Sequence, residues 1–285
     1  MVRVTVLVTG ASGQVGGALV RQLADAGVPA RAMTRHPERA QFPDGVDVVG
    51  ADLADPPTLD RALKGVERVF LMGAPPDALA GYTRSLCDAA ARSGVRHVVL
   101  LSSMSVQIEG DTPLTSEHGD AEKALVASGI GYTLLRPGPF NSLTFMWADS
   151  IRAEDSVRHP FGDPPGAPID AEDIAAVALC ALTSDEHIGR AYSLTGPQRL
   201  RPSEQTEILG QVLGRALRFE EVPEADAVAF MTPLAGPHAA EIVAAMRRED
   251  LPWSDPMPTV EEITGRPPAT FRAWAEQHAR AFGGA

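Results

Sequence analysis

A doubly wound α/β fold on a parallel sheet, with a smaller and mainly helical C-terminal part, follows from three features of this 285-residue sequence. Short β-branched runs alternate with helical patterns through the first half. A glycine-rich loop joins the first run to the first helical stretch, and the rhythm changes after Pro137. Alternation at this spacing calls for right-handed crossovers between parallel strands.

Strands are predicted at Val4–Thr9, Ala30–Thr34, Asp47–Val49, Arg68–Met72, His97–Ser102 and Tyr132–Leu135, and helices near Gln14–Ala26, Thr58–Leu63, Asp77–Ser93 and Glu117–Ser128. Gly27, Gly65, Gly94 and Gly129 each follow a predicted helix, where a left-handed residue ends the last turn. Residues 137–168, rich in Pro and Gly, read as loops with a short helix. Ala171–Leu182 reads as a helix and Ala191–Thr195 as a strand rejoining the sheet. Further helices are expected at Ser203–Leu213, Ala235–Arg248 and Ala269–Ala281, forming a cap over the carboxyl edge of the sheet. The expected division is 1–140 plus 168–196 for the sheet domain and 141–167 plus 197–285 for the cap.

Apolar residues make up 44% of the chain, enough for a sizeable core, and the formal charge is −12. Acids spread along the chain repel phosphate backbones and anionic lipid, which argues against nucleic-acid and membrane partners. No run approaches the roughly 20 apolar residues of a membrane span. Val4–Val8 is too short for an export signal. Cys87 and Cys180 fall in apolar helical stretches and read as buried thiols of a reducing, cytoplasmic protein. The histidines and cysteines show no metal-ligand spacing, and no Gly-x-Ser-x-Gly elbow is present. A monomer or homodimer is expected.

The strongest local signal is Thr9-Gly10-Ala11-Ser12-Gly13-Gln14-Val15-Gly16, directly after an apolar strand and at the start of an amphipathic helix. Gly10 permits a tight turn, Gly13 lets the backbone approach a diphosphate, and Gly16 brings the helix close to the sheet. The helix start then offers free amides and partial positive charge. This is a Rossmann-type dinucleotide signature, spaced GxxGxxG. The second strand ends in Met33-Thr34-Arg35-His36, without the acid that would grip the ribose hydroxyls of NAD. Arg35 stands where a 2′-phosphate would lie, so the expected cofactor is NADP(H). Asp52 and Leu53 follow the third strand. They read either as an adenine contact or as a helix N-terminal acid beside a core leucine. Gly73-Ala74, at the end of the fourth strand, would let the ribose approach the backbone.

These motifs occur together with Leu101-Ser102-Ser103, His118-Gly119-Asp120-Ala121-Glu122-Lys123, Arg136-Pro137-Gly138 and Asp173-Ile174-Ala175. The sequence thereby resembles the NmrA-like branch of the atypical short-chain dehydrogenases/reductases, particularly its NADPH-dependent quinone oxidoreductases. The resemblance implies that Pro137, Gly138 and Phe140 pack beside the nicotinamide. It also implies Asn141 as a hydrogen-bonding group for a small aromatic substrate. Phe145, Met146 and Trp147, like Phe161, Phe230 and Met231 further on, read either as core or as lining of a flat apolar pocket.

The Tyr-x-x-x-Lys pair of ordinary short-chain dehydrogenases is missing. Tyr82, Tyr132 and Tyr192 are followed four places on by Leu86, Arg136 and Gly196. Aligning Glu122 and Leu125 on the related helix puts the lysine position on His118 and the tyrosine position on Leu114. His118 is then a proton donor, a hydrogen-bond partner of the nicotinamide ribose, or an exposed first-turn histidine. Ser102 and Ser103, at a strand's carboxyl end, are either donors to a carbonyl or ordinary turn residues. Hydride reduction of a plain ketone leaves an alkoxide of conjugate-acid pKa about 16, whereas a quinone leaves an aryloxide near about 10. The difference is worth about 8 kcal/mol if the anion is fully formed. A chain without the tyrosine acid therefore suits a quinone or conjugated polycyclic aromatic ketone. The alternative is a non-catalytic NADP(H) sensor acting on a partner protein; a sugar epimerase is weaker, because that chemistry needs the tyrosine.

Overall fold

The structure, a computed structural model, describes residues 5–73, 78–108 and 113–284. It divides into two compact units. The first comprises Met1–Val106, Thr115–Pro137 and Ala171–Ser193, and the second Gln107–Leu114, Gly138–Asp170 and Leu194–Ala285.

The first unit is built on seven strands: β1 (Val6–Val8), β2 (Ala30–Thr34), β3 (Asp47–Gly50), β4 (Arg68–Leu71), β5 (His97–Leu101), β6 (Gly131–Pro137) and β8 (Arg190–Leu194). Their order is β3-β2-β1-β4-β5-β6-β8, and the pairs from β3 through β6 run parallel. The order reverses between β1 and β4, which creates a crevice at their carboxyl ends. The helices are α1 (Gln14–Asp25), α2 (Pro56–Ala62), α3 (Leu79–Ser93), α4 (Pro113–Ala127) and α6 (Ala171–Thr183).

The central strands are buried on both faces and are correspondingly apolar throughout. Leu7, Val69, Leu71, Val98 and Leu100 point to one side, into a cluster with Leu59, Leu63, Leu86 and Leu125 from α2, α3 and α4. Residues of opposite parity, including Val6, Val8, Phe70 and Val99, are equally buried and point to the other face, where α1 and α6 pack together and α6 lies against β4, β5 and β6. No helix of the described residues is long and apolar enough to cross a membrane.

One buried polar cluster at the amino ends of these strands has a consequence for stability. Thr133 donates its hydroxyl to the His187 carbonyl at 2.7 Å, so it accepts from His97 Nε2 at 2.8 Å. His97 is therefore the Nε2-protonated neutral tautomer, and its Nδ1 is buried without a partner. Burial first, then the nearby Arg68 charge, pushes its pKa from 6.5 down to about 4. Between those values the unfolded chain binds the extra proton. Stability should thus fall as pH drops below 6.5 and level off below about 4, by at most roughly 3 kcal/mol for this group. Thermal melts from pH 7 to pH 4 should show this fall, and His97→Gln should flatten it; a parallel slope in the variant would assign the loss to other groups.

The second unit contains a 3₁₀ segment at Asn141–Trp147, then α5 (Ala148–Glu154), β7 (Ser156–His159), α7 (Pro202–Leu213), β9 (Arg218–Glu221), α8 (Glu224–Ala235), α9 (Ala239–Met246), α10 (Thr259–Thr264) and α11 (Phe271–Gln277). Its core gathers Trp147, Ile151, Val157, Leu209, Phe271, Trp274 and Phe282. Two features differ from the sequence expectation. β7 lies in the stretch read as loops and a short helix, and pairs in parallel with β9, register Val157↔Phe219. Both strands are only four residues long and far apart in sequence, so no local signal marks them. The helix expected at Ala235–Arg248 is α9, which begins only at Ala239, and α8 before it is not an expected helix. Gly236 at φ 54° ends α8, and Pro237, which lacks an amide hydrogen, prevents continuation. Similarly, the last predicted helix is shorter, with the Thr270 hydroxyl accepting from the Ala273 amide at 3.2 Å as its cap.

Candidate functional site

The glycine-rich loop is assembled as its spacing requires. Gly10 adopts φ +59°, a left-handed conformation that disfavours other residues. Its carbonyl accepts from the Gly13 amide at 2.9 Å, which closes the turn. A Cβ on Gly16 would lie 2.2 Å from the Gly10 oxygen and 2.7 Å from the Gly10 carbonyl carbon. Only glycine lets the first turn of α1 sit so close. Ser12, Gly13 and Gln14 are exposed, no side chain caps α1, and the first-turn amides have no intrahelical acceptors. The arrangement presents main-chain donors to an anion. Val15 contributes only its backbone, because its side chain is 1% exposed and belongs to the core.

Thr9 has a different part from its neighbours in the loop. Its hydroxyl donates to the Met72 carbonyl and accepts from the Met72 amide, both at 2.8 Å. The side chain therefore latches the ends of β1 and β4 and is not open to a ligand. Gly73 lies beside that latch. A Cβ there would stand 2.9 Å from the Tyr82 ring and 3.1 Å from Leu79, so its smallness serves packing against α3. Ala74 lies outside the described residues.

Arg35 follows the last residue of β2, is exposed, and makes no hydrogen bond or ion pair with another described residue. Its neighbours do pair: His36 and Arg39 both approach Glu38, at 3.6 Å. The Asp52 carboxylate accepts from the Ala54 amide at 3.0 Å in the turn that starts α2. Leu53 is 8% exposed and lies in the main core cluster.

The three residues considered for proton chemistry meet different surroundings. Ser102 is buried and donates to Glu122 Oε1 at 2.6 Å. Glu122 in turn takes two hydrogen bonds from Arg136, at 2.9 and 2.6 Å. The Ser102 hydroxyl thus serves a buried ion pair rather than an open carbonyl site. In the sequence Glu122 and Arg136 stand out only within the family resemblance; their opposite charges, on a helix and on the strand that follows it, are the local signal of the pair. Ser103 accepts from the Ser105 amide at 3.1 Å and shapes the turn after β5. His118 is neither exposed nor in the first turn of α4, which begins at Pro113. Its Nδ1 is buried without a partner. Burial lowers its pKa, against the opposing influence of Glu122, so the imidazole is neutral at pH 7 and offers a hydrogen bond rather than a ready acid.

In the second unit, Gly138 donates to the Leu194 carbonyl at 2.9 Å, and Asn141 donates to the Ile169 carbonyl at 2.9 Å. These bonds fix the chain that follows β6, where Pro137 is also buried. The Asn141 side chain is 1% exposed, and both of its polar atoms lack a partner. Phe140 and Trp147 line a cavity of about 500 Å³ within this unit. Phe145, a candidate for the same lining, instead stacks on Phe282 (centroids 5.7 Å) and tilts against Trp274 (5.1 Å). In the 3₁₀ segment it turns toward the core of α11, while Leu143 and Met146 beside it remain exposed at the cavity. The walls also include Phe161 and Phe230, apolar residues that the sequence leaves open between core and pocket, and Trp253, which no sequence signal marks.

A reversed strand order with a glycine turn leading into an uncapped helix defines a dinucleotide-binding protein of the Rossmann class. Comparison with known proteins agrees. The profile of a family described as NAD(P)H-binding matches residues 10–185. Over 97% of its length the chain is 43% identical to 99% of the (4-alkanoyl-5-oxo-2,5-dihydrofuran-3-yl)methyl phosphate reductase of Streptomyces griseus. It is 33% identical to the NAD(P)H azoreductase of Xenophilus azovorans, covering 98% of this chain and 100% of that one. Among solved structures, the NADPH complex of the quinone oxidoreductase QOR2 of Escherichia coli superposes with a TM-score of 0.80 at 26% identity, over 95% of this chain and 99% of that one. The chain belongs to the NAD(P)H-binding family, and its relatives are oxidoreductases of the atypical short-chain dehydrogenase/reductase type. It is an NAD(P)H-dependent oxidoreductase.

Proposed function

We propose that the protein uses NADPH to reduce a conjugated, electron-poor carbonyl compound such as a quinone or a polycyclic aromatic ketone. The first unit holds the coenzyme: the amides at the start of α1 take the diphosphate, and Arg35 takes the 2′-phosphate. The second unit holds the substrate. The observation that carries this reading is the open cavity, walled by Phe140, Trp147 and Trp253, in a chain that lacks the tyrosine acid. An open apolar cavity of about 500 Å³ is a binding site for a small flat molecule rather than a filled core.

The coenzyme supplies the hydride; the chain supplies position and a place for the new negative charge. With Ser102 committed to Glu122 and His118 neutral, no strong acid is offered by these residues. A delocalised product anion removes the need for one, by up to about 8 kcal/mol relative to an alkoxide. The names of the relatives are consistent with this demand, since an azo compound, a quinone and an alkanoyl-oxo-dihydrofuran are all conjugated acceptors. NADPH oxidation should be measured with quinones, aryl ketones, conjugated enones and, as a contrast, cyclohexanone. Turnover of conjugated acceptors at least about 100-fold faster than the isolated ketone is expected, using only part of the energy difference above. Comparable rates for cyclohexanone would overturn the reading, as would no turnover of any conjugated member.

A further inference from the structure

The composition of the cavity wall in the second unit limits what it can recognise. Six of its lining residues are prolines, at 139, 160, 164, 165, 168 and 202. Proline has no amide hydrogen, so these stretches offer few main-chain donors. The Thr144 hydroxyl is spent on the Asn141 carbonyl at 2.7 Å. Selective polar contacts must therefore come from the few remaining side chains.

Two of those are free to make them. His159 lies at the end of β7, and its Nδ1 is 2.9 Å from the Gly162 carbonyl. A carbonyl only accepts, so Nδ1 carries the hydrogen and Nε2 presents a lone pair. Nε2 makes no hydrogen bond with a described residue and is not among the buried, unpartnered atoms, so it stays accessible at the cavity that His159 lines. The ring is held edge-on by Trp147 (5.8 Å, 83°) and Phe161 (5.7 Å, 78°). Burial lowers the His159 pKa, which keeps the lone pair available at neutral pH. The second is Gln205 on α7, only 9% exposed, whose side-chain amide also has no partner among the described residues. It lines the same cavity. One group accepts only; the other can donate.

We infer that His159 and Gln205 select a substrate bearing a hydroxyl group, which donates to His159 Nε2 and accepts from the Gln205 amide, while its apolar body lies against the proline and aromatic walls. This rests on the reading of the cavity as the substrate site. A hydroxyl is the small group that meets an acceptor and a donor at once. A bare hydrocarbon would leave both buried groups unpaired, and a site built to hydrogen-bond a hydroxyl rejects the analogue that lacks it.

Equilibrium dialysis with the NADP⁺-saturated protein tests this without turnover. The probes are 2-naphthol, 2-methoxynaphthalene, which keeps the oxygen but loses the donor, and 2-naphthyl phosphate. Naphthol is expected to bind about 10-fold tighter than its methyl ether, a typical effect for one buried hydrogen bond. His159→Phe, which preserves the ring packing, should bring the two to parity, and Gln205→Leu should weaken naphthol and the ether alike, because both keep the oxygen that accepts from the amide. Equal affinities in the parent, or a preference that survives His159→Phe, overturn the inference. Tightest binding of the phosphate overturns it too, and points to Arg158, which also lines the cavity. Reduction of conjugated acceptors without a hydroxyl preference would leave the proposed function standing and remove only this assignment. A hydroxyl preference without any such reduction would do the reverse.

Discussion

Gly16→Ala is expected to abolish measurable dinucleotide binding, a loss of at least about 100-fold. The added Cβ would meet the Gly10 oxygen at 2.2 Å and the Gly10 carbonyl carbon at 2.7 Å, both backbone atoms that no rotamer change can move. Relief requires α1 to move outward or the turn to open, and either displaces the amides that face the diphosphate. Overpacking of this kind also costs stability, about 1–3 kcal/mol. The neighbouring helix glycine separates the two effects. A Cβ on Gly17 would lie 3.3 Å from the Ala11 oxygen, a tight but tolerable approach, and alanine gains up to about 1 kcal/mol of helix propensity. Gly17→Ala should therefore bind coenzyme nearly as the parent does. Titration of coenzyme fluorescence with both variants checks this, and binding by Gly16→Ala within 10-fold of the parent would contradict the loop geometry.

The second large effect is expected at Glu122, remote from the coenzyme loop in sequence. Its carboxylate accepts from Ser102 and twice from Arg136, with side chains 10% and 24% exposed for Glu122 and Arg136. Removing it by Glu122→Ala strands a half-buried guanidinium and a buried hydroxyl. Loss of one partner from a fully buried pair costs about 3–5 kcal/mol, and the partial exposure of Arg136 reduces this to about 2–4. Thermal unfolding should show a fall in Tm of roughly 5 °C or more. Glu122→Leu combined with Arg136→Leu should be milder than either change alone, because no lone charge is left. Lys123→Ala, next door and largely exposed, should shift stability by less than about 1 kcal/mol. A Glu122→Ala protein as stable as the parent would mean that the pair does not hold β5, β6 and α4 together.

The contrast between these sites explains what the sequence reveals. The strands of the first unit and the glycine loop are legible because their signals are local: β-branched runs, a turn glycine, and a fixed spacing that packing makes obligatory. The partners of Thr9, Ser102 and Leu53 are not legible, for one shared reason. A polar or apolar residue at the carboxyl end of a strand reads the same whether it faces a ligand or a neighbouring element. Met72 and Glu122 lie 63 and 20 residues away, and the core against Leu53 is built by other elements. In the second unit an apolar pocket is expected near Phe140 and Trp147, but the part of its wall around His159, Gln205 and Trp253 comes from segments far apart in sequence and carries no local signal. β7 and β9 escaped for the same cause. Phe145 and Trp147 sit two apart on a 3₁₀ turn and both join the core, but only Trp147 also reaches the cavity wall.

The discriminating measurement for coenzyme use is the ratio of NADH to NADPH dissociation constants in the parent and in Arg35→Ala. A charge-assisted contact to the 2′-phosphate is worth about 1.5–3 kcal/mol, so the parent ratio should be about 10- to 100-fold in favour of NADPH, and the variant should bring it close to one by weakening NADPH alone. Equal affinities in the parent, or a preference that Arg35→Ala leaves intact, would contradict the assignment of Arg35 to the 2′-phosphate.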